Sequence, residues 1–242
     1  MPQNTFVGSV AEGYDANSAE MFAPDVLAAT VELLASEAGD GRALELGIGT
    51  GRVALPLRAR GVPVEGIDIS ADMIAELRKK PGSEAIRTTV GDFATTVVAR
   101  EFSLVYVVYN SICNLLEQAE WVQTFCNAAH HLGKGGRFLV ELFVPELRRF
   151  PPGATAIPFD VSPRHLGFDT LDIATQRGVS HHYFLRDAHF EHHDGAFRYA
   201  WPAELDLMAE IAGMTLRSRW ADWDRSPFTN ESTKHISVWE RV

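Results

Sequence analysis

Ala43-Leu44-Glu45-Leu46-Gly47-Ile48-Gly49-Thr50-Gly51-Arg52 is the stretch from which the fold can be read. Residues 42–46 have the short apolar pattern of a buried strand, which runs directly into three glycines at alternating places. Glycine accepts left-handed backbone and lets a ligand approach the main chain closely, so a strand ending in Gly-x-Gly-x-Gly suits a binding turn. The Glu45 carboxylate, two places before the first glycine, would repel a phosphate and better suits a cationic or hydroxyl-bearing ligand. A dinucleotide turn also wants glycine at the sixth place, where helix and strand pack closely. That place holds Arg52, which disfavours NAD.

Outward from this turn, strand and helix signals alternate. Residues 52–60 read as a helix despite Pro56, residues 64–68 as a second strand, and Ser70 as the cap of a helix through Lys80. Residues 85–90 read as a third strand closed by Gly91-Asp92. Residues 102–109 read as a fourth, with the β-branched and aromatic content of a strand buried on both faces. Trp121, Phe125, Ala129 and Leu132 mark a helix stopped by Gly133, and residues 136–142 a fifth strand. Upstream, Phe22, Val26, Leu27, Val31 and Leu34 place a helix within residues 18–37. Such alternation implies right-handed crossovers and an α/β, doubly wound, mostly parallel sheet.

The pattern changes after residue 145. Residues 146–163, rich in Pro and Arg, read as a loop. Residues 166–200 read as antiparallel strands turning at Gly178 and at Asp194-Gly195. Pro202 opens a helix closed by Gly213, and residues 214–220 and 234–239 make a final hairpin. The expectation is one domain over residues 1–242, with an N-terminal lid and helix in 1–40 and an inserted β-region in 146–200.

A net charge of −10 over 242 residues argues against a nucleic-acid partner, which needs clustered Lys and Arg. Cys113 and Cys126 sit in apolar contexts and read as thiols of a reducing compartment. The N-terminus shows no basic segment followed by an apolar one, and the longest strongly apolar stretch, residues 104–109, is too short to span a bilayer. A cytoplasmic protein with no membrane partner is expected, and a homo-oligomer stays open.

Glu45-Leu46-Gly47-Ile48-Gly49-Thr50-Gly51 resembles the first motif of the class I S-adenosylmethionine (SAM)-dependent methyltransferases. Asp68, ending the second strand, resembles the acidic residue that takes both ribose hydroxyls in that family. Gly91-Asp92-Phe93 resembles the third-strand motif, in which the carboxylate receives the adenine amino group and the next residue packs on the ring. Val108-Tyr109-Asn110 resembles the motif beside the transferred methyl. The resemblance implies a Rossmann-like sheet of seven strands with an antiparallel final hairpin. It implies SAM as cofactor and S-adenosylhomocysteine (SAH) as product. The implied cofactor set is Tyr14, Glu45, Gly47, Ile48, Gly49, Asp68, Ile69, Met73, Asp92, Phe93, Val108 and Tyr109. Tyr14-Asp15, Tyr109-Asn110-Ser111, Glu141, the run Trp201 to Leu205 and the ending from Pro227 to His235 are similar to bacterial natural-product N-methyltransferases, including those acting on amino sugars.

That likeness implies methyl transfer to a small molecule, an amine being favoured over a hydroxyl, with Tyr14, Asn110, Glu141 and His182 as catalytic candidates. Tyr14 and Asn110 would position the methionine end and the nucleophile, and Glu141 or His182 would accept a proton. Phe6 is a further candidate wall of the pocket, and Tyr14 a candidate member of a lid over it. Adjacent His181 and His182 point to opposite faces of a strand and cannot easily share one metal ion. His192 and His193 fall near the expected turn, so no metal site is expected. The rivals are an NAD-dependent oxidoreductase, opposed by Arg52, and a non-catalytic SAM-binding protein, opposed by the intact motif set and the large insertion.

Overall fold

The computed structural model describes residues 4–187 and 189–242. The first three residues of the expected N-terminal segment lie outside them. The chain begins with helix α1 (Ser9–Asn17), a 3-10 turn (Ala19–Phe22) and helix α2 (Pro24–Ala38). The single helix expected within residues 18–37 is therefore two pieces, because Pro24 starts a new helix at its first position, where its missing N–H costs nothing. The polar stretch before it is itself helical, with Ala11 as its buried residue.

Strands and helices then alternate: β1 (Ala43–Leu46), α3 (Ala54–Ala59), β2 (Val64–Asp68), α4 (Ala71–Arg78), β3 (Arg87–Val90), β4 (Phe102–Val107), α5 (Gln118–His131) and β5 (Leu132–Phe143). Ser70 caps α4 as expected, its Oγ accepting the Met73 N–H at 3.2 Å. Strand β5 starts directly at the end of α5, so Gly133 lies in a strand rather than stopping a helix. After the insertion come α6 (Pro202–Ile211), β10 (Met214–Trp220) and β11 (Lys234–Arg241).

Seven strands form one sheet in the order β10-β11-β5-β4-β1-β2-β3. The pairs β1–β2, β1–β4, β2–β3 and β4–β5 are parallel, while β11 is antiparallel to both neighbours. Residue alternation divides the core between two faces. Leu44, Leu46, Val105, Val107, Phe138 and Val140 meet α5 and α6, while Ala43, Leu104, Tyr106, Leu139 and Val238 meet α2 and α3. Strand order reverses between β1 and β4, and the crevice beyond their carboxyl ends is where such sheets bind ligands.

The insertion is a second, four-stranded antiparallel sheet: β6 (Ala156–Val161), β7 (His165–Asp172), β8 (Arg177–Arg186) and β9 (His189–Arg198), in that order. Strand β6 lies in the segment expected to be a loop; Pro158 is tolerated there because β6 is an edge strand. The expected turns at Gly178 and Asp194-Gly195 are strand interior: Gly178 pairs with Phe197 and Gly195 with Ser180. Gly178 answers to packing, since a Cβ there would come within 2.3 Å of the Phe197 ring. His192 and His193 accordingly lie inside β9, away from a turn. No helix among the described residues is long and apolar enough to cross a membrane.

Candidate active site

The glycine turn forms the floor of a crevice at the β1–β4 switch point. Gly47, Gly49 and Gly51 have φ of 77°, 52° and 79°, backbone that side chains rarely adopt. At Gly49 a Cβ would also crowd the Met73 methyl at 3.2 Å. The Asp68 carboxylate braces this turn: Gly49 N–H donates to one oxygen at 2.7 Å and Ser70 N–H to the other at 2.8 Å. Burial raises the Asp68 pKa, and these two hydrogen bonds oppose the rise. Each oxygen keeps acceptor capacity, which suits two hydroxyls of one diol.

Glu45 is 3% exposed, and Tyr106 Oη donates to it at 2.9 Å. Burial pushes its pKa up to about 8, against the Tyr106 hydrogen bond and the Arg52 charge. Even with Arg52 nearby, this carboxyl holds its proton at neutral pH. Arg52, which the sequence offers only as an obstruction to NAD, lines the same end of the crevice and stacks on Tyr109, 5.4 Å from the ring centre. An acid and a base at one end of a pocket suit the amino and carboxylate groups of a free amino acid.

Two adjoining cavities cover the crevice from end to end. Tyr14, Gly47, Gly49, Asp68, Ile69, Met73, Asp92 and Phe93 line one, together with Phe6, Ser111, Asn114 and Leu115. Tyr14, Glu45, Gly47, Ile48, Gly49, Val108 and Tyr109 line its neighbour, with Thr50 and Arg52. All twelve residues expected to hold the cofactor thus border these two spaces. A third cavity, of about 480 Å³, opens between the crevice and the second sheet and shares Phe6, Tyr14, Ser111 and Asn114 with the first. Tyr109, Asn110, Asp169, Ser180 and His182 also line it.

Tyr14 sits on α1, which is tied to the crevice at both ends. Gly8 N–H donates to Asp72 at 2.7 Å, Thr50 Oγ1 donates to Asp15 at 2.6 Å, and Lys80 pairs with Asp15. Phe6 meets Tyr14 edge to face at 5.9 Å. Strand β4 stops two residues short of residue 109 because Tyr109 and Asn110 take φ of 54° and 56°. Non-glycine residues rarely hold such backbone, and two in succession mark a strained turn. Glu141 supports it: its carboxylate accepts Tyr109 N–H at 2.9 Å and Trp223 Nε1–H at 3.0 Å. Asn110 Oδ1 accepts Phe143 N–H at 2.8 Å. Glu141, expected as a candidate proton acceptor, borders none of the three cavities and sits behind Tyr109.

The histidines divide by face. His182 turns to the cavity, whereas His181, His192 and Asp194 gather on the outer face, their ligand atoms within 4.8 Å of one another. Sequence spacing did not suggest that cluster, because the β8–β9 register assembles it. Asp169 was missed for the same reason: it is one acid among several until β7–β8 pairing sets it opposite Ser180, whose Oγ donates to it.

Residues 43–136 match the family described as methyltransferase domain. Cypemycin N-terminal methyltransferase from a Streptomyces species is 27% identical over 206 residues, covering 84% of each chain. Among solved structures, the CcbJ methyltransferase from Streptomyces caelestis is 32% identical with a TM-score of 0.81 over 90% of each chain. SAM-bound CalS10, an amino pentose methyltransferase from Micromonospora echinaspora, is 21% identical with a TM-score of 0.70 over 99% of each chain. With this topology, this crevice and these relatives, the chain belongs to the SAM-dependent methyltransferases.

Proposed function

We propose that the protein methylates an amine of a small natural product or amino sugar, with residues 146–200 forming the cover over that acceptor. The observation that carries the reading is the junction of the cavities. The glycine-turn cavity and the cavity beneath the second sheet meet at Tyr14 and Ser111, so a methyl donor in one faces an acceptor in the other. The names of the relatives support the amine: an N-terminal methyltransferase and an amino pentose methyltransferase. So does Asp169, a carboxylate on the acceptor side that would draw in a cation. The acidic chain and the covered cavity favour a small molecule over nucleic acid.

SAM supplies an activated methyl on a positively charged sulfur. The chain's residues then have to hold, align and exclude water, and alignment alone can account for several kilocalories of barrier. In this reading Asp68 holds the ribose, Asp92 and Phe93 hold the adenine, and Glu45 with Arg52 holds the amino-acid end. Tyr14 and Asn110 align the acceptor, and α1 closes over both as a lid.

A hydroxyl acceptor is the second reading, favoured by His182, because an alcohol must lose a proton while an amine needs only its neutral form. Calorimetry of SAM against NAD, followed by SAH release with D-glucosamine, other primary and secondary amines, and their hydroxyl counterparts, separates the readings. Turnover confined to hydroxyl acceptors would overturn the amine, and tight NAD binding the donor.

A further inference from the structure

We infer that Asp160, His165 and His182 form a proton relay leading from the acceptor cavity to solvent, with His182 Nε2 as the atom that takes the acceptor's proton. The inference rests on the methyl-transfer reading above.

Asp160 Oδ2 lies 2.6 Å from His165 Nδ1, and His165 Nε2 lies 3.0 Å from His182 Nδ1. The two imidazole planes differ by 2° with their centres 5.2 Å apart. With the nitrogens only 3.0 Å apart, that separation means the rings join end to end within a common plane, as a strong N–H···N bond requires. Strand register assembles the chain: His182 pairs with Gly167, over which the Phe159 ring lies, and His165, two residues before Gly167 on the same face, reaches His182. Phe184 stacks on His165 at 4.3 Å and Phe159 packs 5.2 Å from His182, so apolar walls hold both rings in this orientation. Side-chain exposure rises outward along the relay, from 18% at His165 to 40% at Asp160.

Hydrogen-bond logic sets the tautomers. In the relay Asp160 accepts from His165 Nδ1–H, and His165 Nε2 accepts from His182 Nδ1–H. His182 Nε2 is left with a free lone pair and no protein partner among the described residues, on a ring that lines the cavity. The same arrangement of a carboxylate behind a histidine defines the base in hydrolase triads. Charged and titratable groups face His182 from three strands, His165 and Asp169 on β7, Asp160 on β6 and His193 on β9, while Asp194 acts on it from the outer face of the sheet. Burial, aided by His165 and His193, lowers the His182 pKa below its ordinary value, while Asp169 and Asp194 oppose this. The ring is thus uncharged at neutral pH and ready to accept.

The step balances without a further reactant. An acceptor ammonium gives its N–H proton to His182 Nε2, and the freed lone pair bonds to the methyl carbon. The methyl–sulfur bond breaks with its electron pair remaining on sulfur. His182 passes its Nδ1 proton to His165, and His165 passes its own to Asp160 and solvent.

Two experiments on the full chain test this. Long-range ¹⁵N–¹H spectra of histidine-labelled protein saturated with SAH should show His165 and His182 both neutral and protonated on Nδ1 at pH 7.5, with Asp160→Asn disturbing both. A proton on His182 Nε2, or a charged His165, overturns the relay. In SAH-release assays with D-glucosamine, or another amine of the panel that turns over, His182→Gln should lower kcat at least tenfold at pH 7. That deficit should shrink as pH rises towards 9, where solvent deprotonates the amine, with SAM affinity within twofold of wild type. A deficit constant across pH in a variant that binds SAM normally also overturns the relay, yet leaves the methyltransferase assignment intact. Failure of the wild-type chain to bind SAM would instead bring down the methyl-transfer reading and the relay with it.

Discussion

Asp68 and Tyr14 are the residues whose replacement separates binding from chemistry. Both Asp68 oxygens already accept backbone N–H groups, so the side chain holds the glycine turn as well as facing the crevice. Asp68→Ala should therefore weaken SAM binding by about 1.5–3 kcal/mol, the scale of a lost charge-assisted hydrogen bond. Unchanged affinity by calorimetry would remove the ribose assignment. Tyr14 borders all three cavities, and burial, with Tyr109 nearby, raises its pKa, so its hydroxyl keeps its proton at neutral pH. If that hydroxyl aligns the reacting groups, Tyr14→Phe lowers kcat with little change in SAM affinity, and Tyr14→Ala harms both. Normal turnover by Tyr14→Ala would reduce the residue to packing.

The second sheet is joined to the main sheet by packing, with Phe197 against Phe143, and by a buried ion pair. Arg198 at the end of β9 is buried and stacks on Trp121 of α5, 5.0 Å from the ring centre. Its guanidinium pairs with Glu204 of α6, which also accepts from Gln118 at 2.8 Å and Gln176 at 2.8 Å. Burial pushes the Glu204 pKa up, but these three donors outweigh it and hold the pKa below the ordinary value. Stability from Glu204 is thus present above its unfolded pKa and is lost as pH falls through the folded one. Glu204→Ala would strand the Arg198 charge among apolar groups, a change that costs about 3 kcal/mol. Urea unfolding would read that loss, and a change under about 1 kcal/mol would show that the sheet is held by packing alone.

For the molecule as a whole, two buried groups set opposite slopes of stability with pH. Glu45, raised to about 8 from an ordinary 4.5, keeps a proton in the fold that the unfolded chain releases. Its contribution is full below 4.5 and lost as pH rises through about 8. His235, pushed down to about 3 chiefly by burial, stays neutral in the fold while the unfolded chain takes up a proton below 6.5. Its contribution is lost as pH falls from there. Thermal melts without ligand should therefore weaken from pH 6.5 to 8, by about 1.4 kcal/mol per pH unit where Glu45 alone titrates. Saturating SAM should flatten that slope, because the ligand's cationic end favours the ionised carboxylate; parallel curves would put the charge elsewhere. EDTA should leave methyl transfer unchanged, since the His181, His192 and Asp194 cluster lies on the outer face of the second sheet, away from the cavity. A rate lost to EDTA and restored by Mg²⁺ or Zn²⁺ would place a metal in the reaction.

The residues expected to hold the cofactor could be picked out in the sequence because they sit at the ends of consecutive strands. Glu45, Gly47, Gly49, Asp68, Asp92 and Tyr109 need only local strand-then-turn chemistry to be brought together, since a parallel sheet gathers all its carboxyl ends along one edge. The acceptor half was not legible in this way. Whether His182 turns inward and His181 outward, whether Asp169 faces Ser180, and whether His165 reaches His182 depend on antiparallel register, where a slip of one residue exchanges the faces. Gly178 and Gly195 look like turns in the sequence, and Gly178 is in fact a space left for Phe197. Glu141 shares its carboxylate between the Tyr109 turn and Trp223, 82 residues away, a pairing that no local pattern announces. Sequence alone determined the family's sheet and the glycine-turn edge of its crevice, because those follow from short-range pattern. Only the tertiary structure decided which side chains line the cavity beneath the second sheet, because pairing across that sheet is long-range.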